Sequence, residues 1–174
     1  MKTELYFLRS SEQKVIVDFL PYAYKLDEIG KSLEDFSHLN VYKDYYGLSR
    51  KDLGLYALAN KKIAGAVWAR KLHDNQAPKI HMAILPELRS MGIGTQIMEQ
   101  FLQEAGAVFE ALEVDILVDC KAIMFYEKFG FTKVENSEQR SLIDGEIIIT
   151  MLKKLEQKEV VRPKDNYNAS YWMD

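Results

Sequence analysis

The stretch from Ile80 to Gly106 constrains the fold of this chain more than any other part of its sequence. An apolar run, Ile80 to Leu85, ends at Pro86. The segment Arg89-Ser90-Met91-Gly92-Ile93-Gly94-Thr95 then leads straight into an amphipathic pattern. Ile93, Ile97, Met98, Phe101, Leu102 and Ala105 recur at helical spacing, and Glu99, Gln100, Gln103 and Glu104 occupy the other side. Gly106 is placed to stop the helix. A helix start leaves backbone N–H groups without partners, and its dipole favours negative charge. Glycines at 92 and 94 let the backbone come close to a ligand, and Arg89 adds a cation. The segment therefore reads as a phosphate cradle, although two glycines before a helix also suit a plain tight turn. It lacks both the Gly-Lys-Ser/Thr ending of a Walker loop and the three-glycine dinucleotide spacing.

The rest of the chain supplies strands for that helix to cross. Leu5 to Arg9 reads as a first strand. Ser10 with Gln13 reads as a capping box opening a helix through Val15, Ile16, Phe19 and Leu20, which Pro21 kinks or ends. Leu33 to Tyr46 is rich in aromatics and reads as a second, irregular helix. Leu53–Ala59 and Ile63–Arg70 flank the polar turn Asn60-Lys61-Lys62, a hairpin pattern. Leu112, Val114, Ile116 and Val118 alternate as in a strand. A short helix from Ala122 to Phe129 closes at Gly130, and Phe131–Glu135 and Glu146–Leu152 read as final strands. The expected fold is mixed α/β, with helices crossing between strands that can lie parallel. Residues 1–155 form one expected domain. Residues 156–174 form a tail, either disordered or docked through Tyr167, Tyr171 and Trp172 on the domain or a second subunit.

Composition narrows the function classes. The 174 residues carry a formal net charge of −3, without the clustered Lys and Arg of a nucleic-acid or anionic-membrane surface. A single Cys120 excludes an internal disulfide, and no cysteine–histidine cluster has zinc-ligand spacing. The first residues lack the apolar run of a signal peptide, and no stretch approaches the length of a membrane span. The expected location is the cytoplasm, with no metal, no nucleic acid and no membrane partner.

Two segments resemble a known family. Arg89-x-x-Gly92-x-Gly94 matches the Q/R-x-x-G-x-G/A signature of the GCN5-related N-acetyltransferases (GNAT). Ala122-Ile123-Met124-Phe125-Tyr126-Glu127-Lys128-Phe129-Gly130-Phe131 resembles that family's A-x-x-F-Y-E-K-x-G-F segment, in the family's order and spacing. The resemblance covers Leu5 to about Leu155. It implies an acyl-CoA N-acyltransferase fold: a mixed, mostly antiparallel sheet, split between two parallel strands and flanked by helices. It also implies acetyl-CoA, or another acyl-CoA, as co-substrate. Backbone groups of Ala83, Ile84 and Leu85 would pair with the pantetheine arm, and N–H groups of Arg89, Ser90, Met91, Gly92, Ile93, Gly94 and Thr95 would hold the pyrophosphate. Ala122 would line the cofactor. Tyr126 would touch it and protonate the leaving thiolate. Where the family usually has Asn, this chain has Asp119, which when ionised can only accept a hydrogen bond.

The implied reaction is direct acetyl transfer to a primary amine of a small molecule or peptide. The alternative is a non-catalytic acyl-CoA sensor or interaction module of the same fold. An N–H near Ile84 would polarise the thioester carbonyl. His81 titrates in a range suited to a general base, but flanked by Ile80 and Met82 it equally suits a structural role. Glu113 and Asp115 share one face of their strand and could act through water or be simply solvated. Tyr42, Asp44, Tyr45 and Tyr46 could form an amine pocket, or merely pack. A homodimer is a further expectation from the family.

Overall fold

A computed structural model of the chain describes residues 2–48, 51–118 and 121–157. Eight strands form one sheet: β1 (Thr3–Phe7), β2 (Asp52–Ala59), β3 (Lys62–Arg70), β4 (Lys79–Ile84), β5 (Ala111–Leu117), β6 (Thr132–Lys133), β7 (Gln139–Arg140) and β8 (Ile147–Lys154). Their order is β1-β2-β3-β4-β5-β8-β6, with β7 also paired to β8. Every pairing is antiparallel except β4 with β5. Three helices cover it: α1 (Gln13–Ala23), α2 (Ile93–Ala105) and α3 (Ala122–Lys128). This is the mixed, mostly antiparallel sheet that the motif pair implies.

Alternation along each strand divides the apolar residues between two cores. On one face, Ile93, Ile97, Met98 and Phe101 of α2 pack with Leu112, Val114 and Ile116 of β5 and with Tyr126 of α3. On the other, Val15, Ile16, Phe19 and Leu20 of α1 pack with Trp68 of β3 and Ala83 of β4. Strands β2 and β3 are joined through Asn60 and Lys61, both at positive φ (52° and 63°). That is the backbone of a two-residue turn whose twist matches the strands it joins. Lys62, expected in the turn, already belongs to β3. Gly130, at φ 88°, supplies the left-handed residue that ends α3.

Several local expectations are corrected. The cap before α1 is made by Arg9 and Glu12, whose carboxylate accepts the Arg9 N–H at 3.2 Å. A 3-10 turn, Ser10–Glu12, comes before the helix, so Gln13 lies one turn too late to serve the cap. Its side-chain amide instead donates to the Tyr46 carbonyl at 2.9 Å. Pro21 lies inside α1, which ends two residues later. The segment expected as a second helix is a pair of 3-10 turns, Leu33–Asp35 and Ser37–Tyr42. Sheet pairing shortens the Phe131–Glu135 strand to Thr132–Lys133 and adds β7, which has no clear sequence pattern. No helix among the described residues is long and apolar enough to cross a membrane. Cys120 and the tail aromatics lie outside the described residues.

Candidate functional site

The parallel strands β4 and β5 share a single register pair, Lys79 with Glu113, and the Glu113 N–H donates to the Pro78 carbonyl at 2.9 Å. Beyond that rung the strands part. The sheet is therefore split from its apex at Lys79 and Glu113 toward the ends of both strands. Backbone alternation decides what β4 offers to the split. The Leu85 N–H is engaged by the Ala64 carbonyl at 2.8 Å, so Leu85, and by alternation Ala83, turn their backbone groups toward β3. Ile84 and Met82 turn theirs to the split edge. Of the three backbone positions expected to meet a cofactor arm, Ile84 alone faces the split. Gly65 on β3 permits this packing, since a Cβ there would stand 2.4 Å from Ile84 Cδ1 and 2.8 Å from the Ala83 carbonyl oxygen.

The loop after β4 ends at the start of α2. Pro86–Leu88 form a 3-10 turn, Ser90 adopts φ 65°, and Gly92, the residue before the helix, φ 81°. Among the described residues no side chain caps α2, and the Gln96 N–H is the first to bond within the helix, to the Gly92 carbonyl at 3.1 Å. The N–H groups of Ile93, Gly94 and Thr95 are therefore at the disposal of a ligand. A Cβ at Gly92 would meet nothing within 4 Å, and one at Gly94 only Met82 and Ile84 at 3.8 and 3.9 Å. The space beside Gly92 is open, as an anion cradle requires, and Gly94 lies in ordinary contact with the Met82 and Ile84 side chains. Ile93 turns its side chain into the core. Arg89 is exposed, and its Nε donates to the Ile84 carbonyl at 3.2 Å, which ties the loop to the split edge. Ser90, Met91 and Thr95 are exposed.

On the α1 face of the split stands a cluster of ionisable and aromatic groups. His81 is 6% exposed. Its ring lies 4.2 Å from that of Tyr42, 5.4 Å from Tyr24 and 5.6 Å from Trp68, centroid to centroid. Nε2 shares a 2.8 Å hydrogen bond with the Tyr24 hydroxyl, and Nδ1 has no hydrogen-bond partner among the described residues. Burial holds the imidazole down to about 4, so it is neutral at pH 7. Burial also raises Tyr24 and Tyr42, which stay protonated. Glu113 is raised, first by burial and then by Asp115, with Lys79 opposing. For Lys79, burial pulls downward, but the hydrogen bond and charge of Asp115 outweigh it and leave the amine more firmly charged.

His81 links pH to stability. The native state takes up this proton only near pH 4, the unfolded chain near pH 6.5, so between those values the unfolded state holds more protons. Stability is therefore present above pH 6.5 and is lost as pH falls toward 4, by roughly 3 kcal/mol from this group alone. Denaturant unfolding of wild type and His81→Gln across that window checks it: the variant should lose about one proton's worth of slope. Equal slopes would show that His81 titrates normally.

The remaining expected residues fall in different places. Tyr126 is 5% exposed, its ring edge-on to Phe125 at 5.2 Å and Phe131 at 5.3 Å. Ala122 opens α3, the helix that carries Tyr126. Asp119 lies outside the described residues. Of the expected amine pocket, Tyr42 alone joins the His81 cluster. Tyr46 is buried, with its hydroxyl donating to the Leu8 carbonyl at 3.3 Å. Tyr45 is exposed, and Asp44 pairs with Lys43 at 2.8 Å. Trp68 and Tyr24, which complete the His81 cluster, were missed because Trp68 reads as strand core and Tyr24 follows a helix end.

Residues 51–133 match the acetyltransferase (GNAT) domain. No curated protein matches the sequence. Solved structures similar to the chain include a GNAT-family acetyltransferase of Streptococcus pneumoniae (17% identity, TM-score 0.68, covering 88% of this chain and 99% of that one). The ribosomal-protein-S18-alanine N-acetyltransferase of Escherichia coli is similar at 16% identity and TM-score 0.63, over 96% of this chain and 100% of that one. An acetyltransferase of Salmonella typhimurium, solved with its cofactor acetyl-CoA, is similar at 11% identity and TM-score 0.64, over 92% and 98%. At these identities the likeness is one of fold. The domain match spans the split and both motifs, so residues 51–133 carry this chain's likeness to the acetyltransferase (GNAT) domain.

Proposed function

We propose that this chain transfers the acetyl group of acetyl-CoA to a primary amine of a small molecule or peptide by direct attack within a ternary complex. The observation that carries the reading is the split itself. The Ile84 edge of β4, left by β5 and bearing its N–H outward, leads through the Pro86–Leu88 turn to a helix N-terminus without a side-chain cap and with open space at Gly92. That is a continuous path for a ligand with an amide-bearing arm and a pyrophosphate. The S. typhimurium structure holds acetyl-CoA in the same fold.

Acetyl-CoA, when bound, supplies an activated acyl group with a thiolate leaving group. The Ile84 N–H on the split edge is set to hydrogen-bond the thioester oxygen as charge develops there. Arg89 to Thr95 hold the phosphates, and Ala122 and Tyr126 approach from α3. Tyr126 donates the proton that the leaving sulfur takes up. On the opposite face, Glu113 accepts the amine's proton through water, because burial makes its carboxylate more basic than usual. His81 is the weaker base: Tyr24 occupies Nε2, and burial opposes a charged ring. Residues 1–155 act as one domain.

The test is CoA release against a panel of amines, with thermal shift in acetyl-CoA and in ATP. CoA release with at least one amine, and stabilisation by acetyl-CoA alone, are expected. At a ligand concentration 100-fold above Kd the stabilisation should be about 2.7 kcal/mol. Stabilisation by ATP without acetyl-CoA would overturn the reading. Binding of acetyl-CoA with no transfer to any amine would favour a sensor.

A further inference from the structure

A parallel pair held by one register pair is a weak joint, and the two strands it joins form the walls of the split. Side chains on the α1 face add a second joint. From β4, Lys79 Nζ donates to Asp115 Oδ2 at 2.5 Å, and Asp115 stands on β5 two residues further into the opening than Glu113. The other carboxylate oxygen, Oδ1, accepts from Thr150 Oγ1 of β8 at 2.7 Å. Asp115 and Thr150 are register partners, so β8 braces the carboxylate from behind. Both oxygens are held and the chain of contacts crosses three strands.

Among the described residues, Asp115 is the least exposed carboxylate in these lysine pairs, at 21% against 48% for Asp44 with Lys43. The side chains of Lys79 and Asp115 are 35% and 21% exposed, against 52% and 88% for Lys51 with Asp74 and 59% and 57% for Lys62 with Glu87. Exposed pairs on flexible side chains contribute little. A carboxylate already fixed by Thr150 loses less freedom when it also binds a cation.

We propose that Lys79, Asp115 and Thr150 form a tether across the apex of the split and set how far β4 and β5 stand apart. They are positioning residues. The tether rests on the acyl-CoA reading only for its consequence: a split of fixed width keeps the Ile84 edge and the α2 terminus in one frame, so acetyl-CoA meets both at once.

Three variants test it, Lys79→Met, Thr150→Val and Lys79→Arg, each read by hydrogen exchange at the Glu113 amide and by acetyl-CoA binding in calorimetry. With Lys79→Met, exchange at Glu113 should quicken and Kd for acetyl-CoA rise, each on the order of fivefold. Thr150→Val, which leaves both charges in place, should move both readouts the same way by less. Lys79→Arg, which keeps cation and reach, should restore both. If Lys79→Met fails to fold, Thr150→Val decides alone. Unchanged exchange at Glu113 in the folded variants overturns the tether, and so does quicker exchange with unweakened acetyl-CoA binding. If wild type itself binds no acetyl-CoA, the functional reading falls. Exchange at Glu113 then still decides the tether.

Discussion

Arg70→Ala is expected to lower stability by about 3–5 kcal/mol, the cost of stranding a buried charge. Arg70 and Asp52 face each other across β2 and β3, their side chains only 10% and 3% exposed. The guanidinium holds both Asp52 oxygens, at 2.9 and 3.3 Å, and donates to the carbonyls of Val41 at 3.0 Å, Tyr45 at 3.2 Å and Asp44. It also lies 5.9 Å over the Tyr46 ring. Asp52 accepts the Gly47 N–H as well, at 2.9 Å, and Trp68 Nε1 donates to the Tyr42 carbonyl at 3.0 Å. Nearly the whole backbone from Val41 to Gly47 is thus sewn to the sheet through Arg70 and its neighbours. Removing the arginine leaves one carboxylate with a single remaining N–H and three carbonyls short of a donor. Urea unfolding measures the loss, and a cycle with Asp52→Ala should be far from additive because the two share one network. A loss under about 1 kcal/mol would mean that water replaces the guanidinium, as it does for exposed pairs. Since this segment presents Tyr42 to His81, the folded fraction should also show a raised KM for the amine with unchanged acetyl-CoA affinity.

Tyr126→Phe should lower kcat by about 10²–10⁴-fold, the range for loss of a positioned general acid, with acetyl-CoA affinity unchanged. Phenylalanine retains the edge-on contacts with Phe125 and Phe131, so the variant should fold and bind as wild type does. Steady-state kinetics beside calorimetric binding separates the two quantities. Full activity would remove Tyr126 from the mechanism. A parallel loss of kcat and affinity would make it a packing residue of the cofactor wall.

The two motifs were legible because each is a run of neighbouring residues whose chemistry is local. The loop of Gly92 and Gly94 ahead of a thirteen-residue helix suits an anion cradle or a tight turn from its own residues. The aromatic helix from Ala122 ends where Gly130 allows a left-handed turn. The α1 face of the split was far less legible. Tyr24 and His81 are separated by 57 residues, and Lys79 and Asp115 by 36. Nothing local in either pair of residues announces its partner. The 3-10 turns between Leu33 and Tyr42 have no clean periodicity, so their aromatic content suggested a pocket when only Tyr42 reaches the split.

Sequence alone determined the mixed α/β class, the hairpin, the crossing helix and the glycine loop ahead of it. These follow from periodicity and from glycines whose backbone freedom acts within a few residues. Only the tertiary structure decided which edge of β4 is free. Register on β3 engages the Leu85 N–H and leaves Ile84 facing the split. It also decided that His81 is neutral and that Lys79 and Asp115 join across the apex, because burial and charge pairing exist only once the strands are side by side.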